Sequence, residues 1–453
     1  MRYRRLVKFT LALSMLLLTA CGSLVPKSDY QRQVSADIAQ VDNWQTLTNS
    51  GDVSYLNDLF NATDVDSLLN QAFAENPSFQ QMMLTLDIRR AQLKQTTADE
   101  HVQVSAGLSA NRNENSTNSY NGTLTVSWQA DLWGKLKDSS NAAELDIAEQ
   151  AMLVQSARNS LGADILRAWL ALIAQKKNIV IQQQRISTLE QNEMFILQRY
   201  RNGLGTLKDW DSAHLSTSTA HATLTANQQQ FDQNLRDLQS LLGQLSVMTL
   251  VIPDVYPDVV IPSVDLPRQT LGQRPDLKAA YLAIESSHLR TEVAYKELLP
   301  SLDLQVVLEN AATTARDALF VSPVWALLGQ LTAPLYQGGK LRAEAEIAEL
   351  DTAIAYQAYK EKLLAAVIEV ENYIGQEQSL QTQLQHLNSA SQSANNNLIN
   401  YQQSYRTGLI SMLDLLTVQQ QTYDLASQIN DTTHALLSNR ISLGLALALE
   451  IKQ

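Results

Sequence analysis

Apolar and polar residues alternate in two stretches of the chain and recur at helical spacing through most of the rest. Val102, Val104, Ala106, Leu108 and Ala110 are apolar, while Gln103, Ser105, Gly107, Ser109 and Asn111 between them are small or polar. A period of two puts one set on each face of a strand. Polar residues from Asn111 to Asn121 make a turn, after which Leu124, Val126, Trp128 and Ala130 alternate with Thr123, Thr125, Ser127 and Gln129. This predicts a hairpin with strands over about 102–111 and 122–131. A second hairpin, over about 301–310 and 323–333, follows from Leu302, Leu304, Val306 and Leu308 and from Trp325, Leu327 and Leu331, with a loop from Asn310 to Ser322.

The helical pattern is duplicated. Lys135 to Tyr200 contains no proline and one glycine, Gly162; Lys340 to Tyr405 contains no proline and one glycine, Gly375. At a fixed offset of 205 residues, Gly134-Lys135-Leu136 matches Gly339-Lys340-Leu341, and Ala143-Glu144-Leu145-Asp146 matches Ala348-Glu349-Leu350-Asp351. The runs close on Tyr200-Arg201-Asn202-Gly203-Leu204 and Tyr405-Arg406-Thr407-Gly408-Leu409, with Asp209 and Asp414 also in register. Each long helix, over about 135–200 and 340–405, would span roughly 100 Å at about 1.5 Å per residue. Return helices are predicted over about 209–246 and 411–449. Leu145, Met152, Leu166, Ile173 and Val180 fall seven apart, broken by Asn159, a packed seam between helices. Pro77 and Pro275 each open a helix ahead of a hairpin, and Pro77 breaks the apolar run that starts near Asp64. Pro253, Pro257, Pro262 and Pro267 mark an extended linker. The organisation expected is a first repeat over 62–250, a linker over 251–268 and a second repeat over 269–453.

The N-terminus changes the setting. Arg2, Arg4, Arg5 and Lys8 precede a mostly apolar run from Phe9 to Leu18, too short to stay in a bilayer as a spanning helix. It ends in Leu18-Thr19-Ala20-Cys21, similar to a bacterial lipobox, so residues 1–20 read as a lipoprotein signal peptide and Cys21 as the lipidated residue. Gly22 rather than aspartate follows, which by resemblance to sorted lipoproteins points to the outer membrane. Residues 21–61 are polar and read as an irregular tether. Cys21 is the single cysteine, so no disulfide supports the fold.

The net charge of −12 becomes −16 once the four basic signal residues are removed, which excludes nucleic acid as the expected partner. A pore lined with part of this charge favours cations, and a solvated acidic surface accounts for it equally. The six histidines form no metalloprotease pair, and no dinucleotide loop or nucleophile elbow is present. No catalytic residue, cofactor site or metal site is expected. The eight methionines are scattered, which gives no support to copper export.

Two hairpins supply four strands, and lipid tolerates no open sheet edge. The smallest membrane barrels have about eight strands, so strands in lipid must be pooled between chains, as eight, twelve or sixteen.

Order and duplication together carry a resemblance. The repeated helix–hairpin–helix plan, the lipobox, the joints Asp131-Leu132-Trp133-Gly134-Lys135 and Leu335-Tyr336-Gln337-Gly338-Gly339, and the paired Tyr-Arg-x-Gly-Leu turns resemble the TolC-type outer-membrane efflux factors, in particular their NodT-like lipoprotein branch. The resemblance covers about residues 60–450. It implies a mainly α fold with a β-barrel part: a homotrimer whose twelve-stranded transmembrane barrel continues into a long periplasmic α-helical barrel. It implies a passive exit duct for drugs or other small toxic compounds, with no catalysis. The partners implied are outer-membrane lipid, a periplasmic adaptor and an inner-membrane pump of the RND, MFS or ABC class.

It also implies a periplasmic gate at the tip, with Tyr405, Asp414 and Asp209 at family gate positions. Adaptor docking would fall at the turns carrying Gly203, Leu204, Gly408 and Leu409. Some members carry an arginine two residues after the second turn glycine; here that position is Ile410, and Arg406 is the nearest basic residue. A further family aspartate is replaced by Thr417, leaving one Asp414 per chain for an acidic ring. Helix capping is the other role open to Asp209 and Asp414. Type I protein secretion and a structural coiled-coil lipoprotein remain alternative functions, the latter opposed by the alternating strands.

Overall fold

A computed structural model describes residues 29–41, 43–44, 51, 53, 55–59, 63–112, 114, 118–245, 250–263, 267–321 and 323–452. The signal peptide and Cys21 lie outside the described residues. The chain forms two compact units, one from residues up to 40 with 84–153 and 276–363, the other from 41–83, 154–275 and 364 onward.

The first unit holds one antiparallel sheet. Its strands, β1 (Gln103–Asn111), β2 (Ser119–Ala130), β3 (Ser301–Ala312) and β4 (Val324–Thr332), lie in chain order, so the two hairpins join through β2 and β3. The register aligns like with like: Val104, Val126, Val306 and Leu327 form one row, and Ala106, Leu124, Leu308 and Trp325 another. Because side chains alternate, these rows share a face with Trp128, Leu304 and Leu331. The opposite face carries Ser105, Thr123, Thr125, Ser127, Gln129, Asp303, Gln305, Glu309 and Gln330. Val104, Leu108, Leu124, Trp128, Trp325, Leu327 and Leu331 are all exposed, so the described residues leave most of the apolar face uncovered. β1 and β4 are edge strands, exposed along their whole length.

The helices of the first unit are α1 (Tyr30–Ala39), part of α3 (Pro77–Ala98), the start of α4 (Lys135–Arg201), α7 (Pro275–Lys296) and the start of α9 (Lys340–Arg406). Polar contacts join them. Ser286 donates to the Ala142 carbonyl at 3.1 Å and to Asp146 at 2.5 Å, Arg290 pairs with Asp146, Lys296 pairs with Asp138, and Thr291 bonds Thr352 at 2.9 Å. The hairpins are pinned at the helix joints, where the Trp128 and Trp133 indole N–H groups donate to the Glu100 and Pro300 carbonyls at 3.0 and 2.7 Å.

The second unit contains the apolar core. α2 (Thr63–Glu75), α5 (Leu207–Leu241), α6 (Pro267–Gln273) and α10 (Met412–Ala446) join the later parts of α4 and α9. Leu68, Leu69 and Ala72 of α2 pack with Leu166, Leu170 and Ile173 of α4, Leu238 of α5 and Ile441 of α10. Leu166 and Ile173, from the heptad series, are buried here, whereas Val180 is exposed. Asn159, the break in that series, is buried, and its side-chain oxygen accepts from the Ile451 N–H at 3.2 Å.

Several expectations are corrected. The 21–61 segment is not wholly irregular: α1 packs Tyr30 on Tyr356, and Asp37 accepts from the Tyr356 hydroxyl at 2.7 Å. β2 begins at Ser119, because the pairing Asn111↔Ser119 shortens the turn. The loop read from Asn310 to Ser322 is partly β3 and partly a short helix, α8 (Ala315–Phe320), capped by Thr314. α5 ends at Leu241 rather than near 246, because Gly243 turns at φ +71°. A Cβ there would lie 2.3 Å from the Glu75 carbonyl oxygen, so glycine is required twice over. α10 ends at Ala446 rather than near 449, where Ala448 takes φ 65° and the Leu449 N–H bonds back to Gly444 at 2.9 Å.

Candidate functional site

The paired turns of the second unit meet the criteria for a site. α4 and α9 both end in the same backbone device. The Gly203 N–H bonds Tyr200 at 3.0 Å and the Leu204 N–H bonds Arg199 at 2.9 Å; Gly408 bonds Tyr405 at 3.0 Å and Leu409 bonds Ser404 at 2.9 Å. This double closure needs a left-handed residue, which Gly203 (φ +72°) and Gly408 (φ +78°) provide. It pushes the following leucines outward, leaving Leu204 68 % and Leu409 79 % exposed.

The return helices start with reciprocal capping boxes. Thr206 accepts from the Asp209 N–H at 3.2 Å, and Asp209 accepts from the Thr206 N–H at 3.1 Å. Ser411 and Asp414 repeat the pattern at 3.3 and 3.0 Å. The capping role raised for both aspartates is thus occupied. Hydrogen bonds from the Thr206 hydroxyl and N–H hold the Asp209 carboxyl below its ordinary value, and those from Ser411 do the same for Asp414.

Tyr405, Arg406, Asp209, Leu204 and Gly408 line one cavity of about 500 Å³, with Phe195, Arg199 and Ile410. Asp414, Gly203 and Leu409 sit on the same turns outside its lining. The Tyr405 ring meets Phe195 edge-on, centroids 6.3 Å apart. Arg199 donates to the Leu204 carbonyl at 3.1 Å, tying helix α4 to its own turn. Arg406 is exposed and makes no ion pair with Asp209 or Asp414.

Behind the cavity, α4 and α10 meet through polar contacts that sequence reading missed. Arg185 pairs with Asp424 at 2.9 Å and donates to Gln420 at 2.8 Å; Thr188 bonds Tyr423 at 2.8 Å; Asn192 donates to Gln419 at 3.0 Å. Each looks like an ordinary surface residue in a heptad pattern. The capping boxes, in contrast, had a readable signal in Thr206-x-x-Asp209 and Ser411-x-x-Asp414. His214 and His221 pair with Glu193 and Glu190 at 2.8 and 3.0 Å. Burial pushes the Glu193 carboxyl up, but hydrogen bonds from Thr217 and His214 outweigh it and hold it below the usual range. Among the described residues no cluster of three His, Cys, Asp or Glu could hold a metal ion, and no helix is long and apolar enough to cross a membrane.

A mostly exposed apolar sheet face, in a chain whose duplicated helices end in matched turns, defines a membrane-inserted channel class. The sequence model described as outer membrane efflux protein matches residues 68–244 and 266–449, and the chain belongs to that family. It is 24 % identical over 458 residues to the cation efflux system protein CusC of Escherichia coli K12, covering 98 % of each chain. It is 25 % identical over 326 residues to the pyoverdine export outer membrane protein OpmQ of Pseudomonas putida, covering 71 % of this chain and 68 % of that one. Its fold is that of a membrane protein from Pseudomonas aeruginosa, with TM-score 0.81, 22 % identity and coverage of 90 % and 99 %. The protein is an outer-membrane component of an efflux system.

Proposed function

We propose that the chain is the passive exit duct of a three-part export system, working as a homotrimer without catalytic activity, and that its tip turns form the closed end. The observation that carries this reading is the convergence of both repeats on one cavity, with Tyr405, Arg406 and Asp209 on its wall. Two turns 205 residues apart, built alike and ending side by side, suit an iris repeated around a three-fold axis. The exposed edges β1 and β4 support pooling of strands into a twelve-stranded barrel. Leu204 and Leu409 offer apolar knobs for a periplasmic adaptor, which couples the duct to an inner-membrane pump.

The gate is held by packing and capping rather than by an ion pair through Arg406. Tyr405 on Phe195 and the α4–α10 polar contacts are the elements that must move on opening. The cargo is of the small-molecule class. CusC and OpmQ are named for cations and for pyoverdine respectively, so the family spans chemically different cargoes through one kind of duct.

Planar-bilayer recording of the purified wild-type chain, Tyr405→Ala and Asp414→Ala tests this. Tyr405→Ala should raise open probability, and Asp414→Ala should weaken cation preference, with antibiotic influx rising in cells carrying the first. Unchanged conductance and influx in both would remove the gate assignment, and absence of conductance in all would favour a structural spacer.

A further inference from the structure

The two hairpin loops differ in a way that points to a second membrane contact. The first, Asn111–Asn118, contains no apolar residue, whereas the second folds into α8 and ends in Leu319-Phe320-Val321. α8 lies against the sheet at Gly122, where a Cβ would come within 2.5 Å of the Ala318 carbonyl oxygen and 3.5 Å of a Leu319 methyl. Register places Gly122 level with Leu108 and Asn310, on the face that carries Leu124, Val126, Val306 and Leu308. The Asn310 amide, on that face too, donates to the Asp317 and Val321 carbonyls and ties the C-terminal part of the helix to β3. α8 therefore covers the apolar face, not the polar face of Thr123 and Glu309. Its own apolar residues continue that face: Ala318 is buried on the sheet, while Leu319, Phe320 and Val321 are 52 %, 79 % and 50 % exposed. They sit at the strand ends remote from the joints to α4 and α7.

We propose that α8 is a lipid anchor, with Leu319, Phe320 and Val321 entering the acyl-chain boundary of the outer leaflet. Arg316, exposed and four residues before Phe320, shares its side of the helix and meets the anionic headgroups. An aqueous loop gains nothing from three adjacent exposed apolar side chains, whereas a loop lying on the lipid-facing wall buries all three. The inference rests on the reading that the apolar sheet face meets lipid.

Spin labels at Phe320→Cys and Val321→Cys test it, with Leu327→Cys on the apolar face and Gln305→Cys on the polar face as references. The full chain is reconstituted in phosphatidylethanolamine–phosphatidylglycerol vesicles, and parent protein treated identically corrects for background label. The expected result is an oxygen-to-nickel-chelate collision ratio at 320 and 321 several-fold above that at 305 and close to that at 327. Ratios at 320 and 321 equal to that at 305, with 327 still in lipid, would overturn the anchor alone. An aqueous ratio at 327 would overturn the lipid-facing sheet and the anchor with it.

Discussion

Leu166 and Leu172 of α4 have no exposed surface, while Leu327 and Leu331 of β4 are each 67 % exposed. The residue type is the same, but the two regions answer to different solvents. In the second unit apolar side chains from four helices close on one another, as water demands. In the sheet they are ranked in rows across all four strands and then left largely exposed, with α8 over one end. Rows aligned across the strands are not an accident of exposure; they are a surface made for a solvent that is itself apolar. The same contrast holds for polar groups. In the helical unit Glu377 has no exposed side-chain surface, and Arg440 and Asn439 satisfy it at 2.9 and 3.2 Å. On the sheet, the polar side chains gather on the opposite face, apart from Asn310, whose amide bonds α8.

The contrast can be broken in graded steps. Glu377→Ala should have the largest effect, because Arg440 would be left charged in a mostly buried site; a loss of about 3–5 kcal/mol is expected in chemical denaturation followed by helical circular dichroism. Leu172→Ala should cost about 2–5 kcal/mol by the same measurement, through the cavity left in a packed core. Leu327→Arg should cost about 2–4 kcal/mol for a barrel folded in bilayers and little in detergent without a bilayer, whereas Gln305→Arg should be tolerated in both. Ser411→Ala should be the smallest, about 1 kcal/mol, visible as faster hydrogen exchange in the first turn of α10 rather than as a change in global stability.

A pH series sharpens this last step. Asp209 and Asp414 have depressed carboxyl values, so their capping contribution is complete above the ordinary value of 3.8 and fades as pH falls through the lower folded value. Exchange at the tip should accelerate only below that range, while the core helices stay protected.

The plan of duplicated helix–hairpin–helix halves was legible because local periodicity determines it. Alternation at Val102–Ala110 and Leu124–Ala130 needs no partner to be seen. The fixed offset survives because α4 and α9 have 67 residues each and α5 and α10 have 35 each. What was not legible depends on distant partners or short segments. The β2–β3 pairing joins residues as far apart as Tyr120 and Ala312 and leaves no mark in either strand. α8 is six residues long, less than two turns, so no helical period develops. Of the site, the glycine turns and the aspartates could be read directly, but the Phe195–Tyr405 contact and the Arg185–Asp424 pair needed the fold.

The most direct test is native mass spectrometry of the mature chain, extracted from outer membranes and kept in detergent. A single species at three times the protomer mass, with its strands protected from exchange at both β1 and β4, is the predicted result. A stable monomer with β1 and β4 open to exchange would contradict the shared wall on which the account stands.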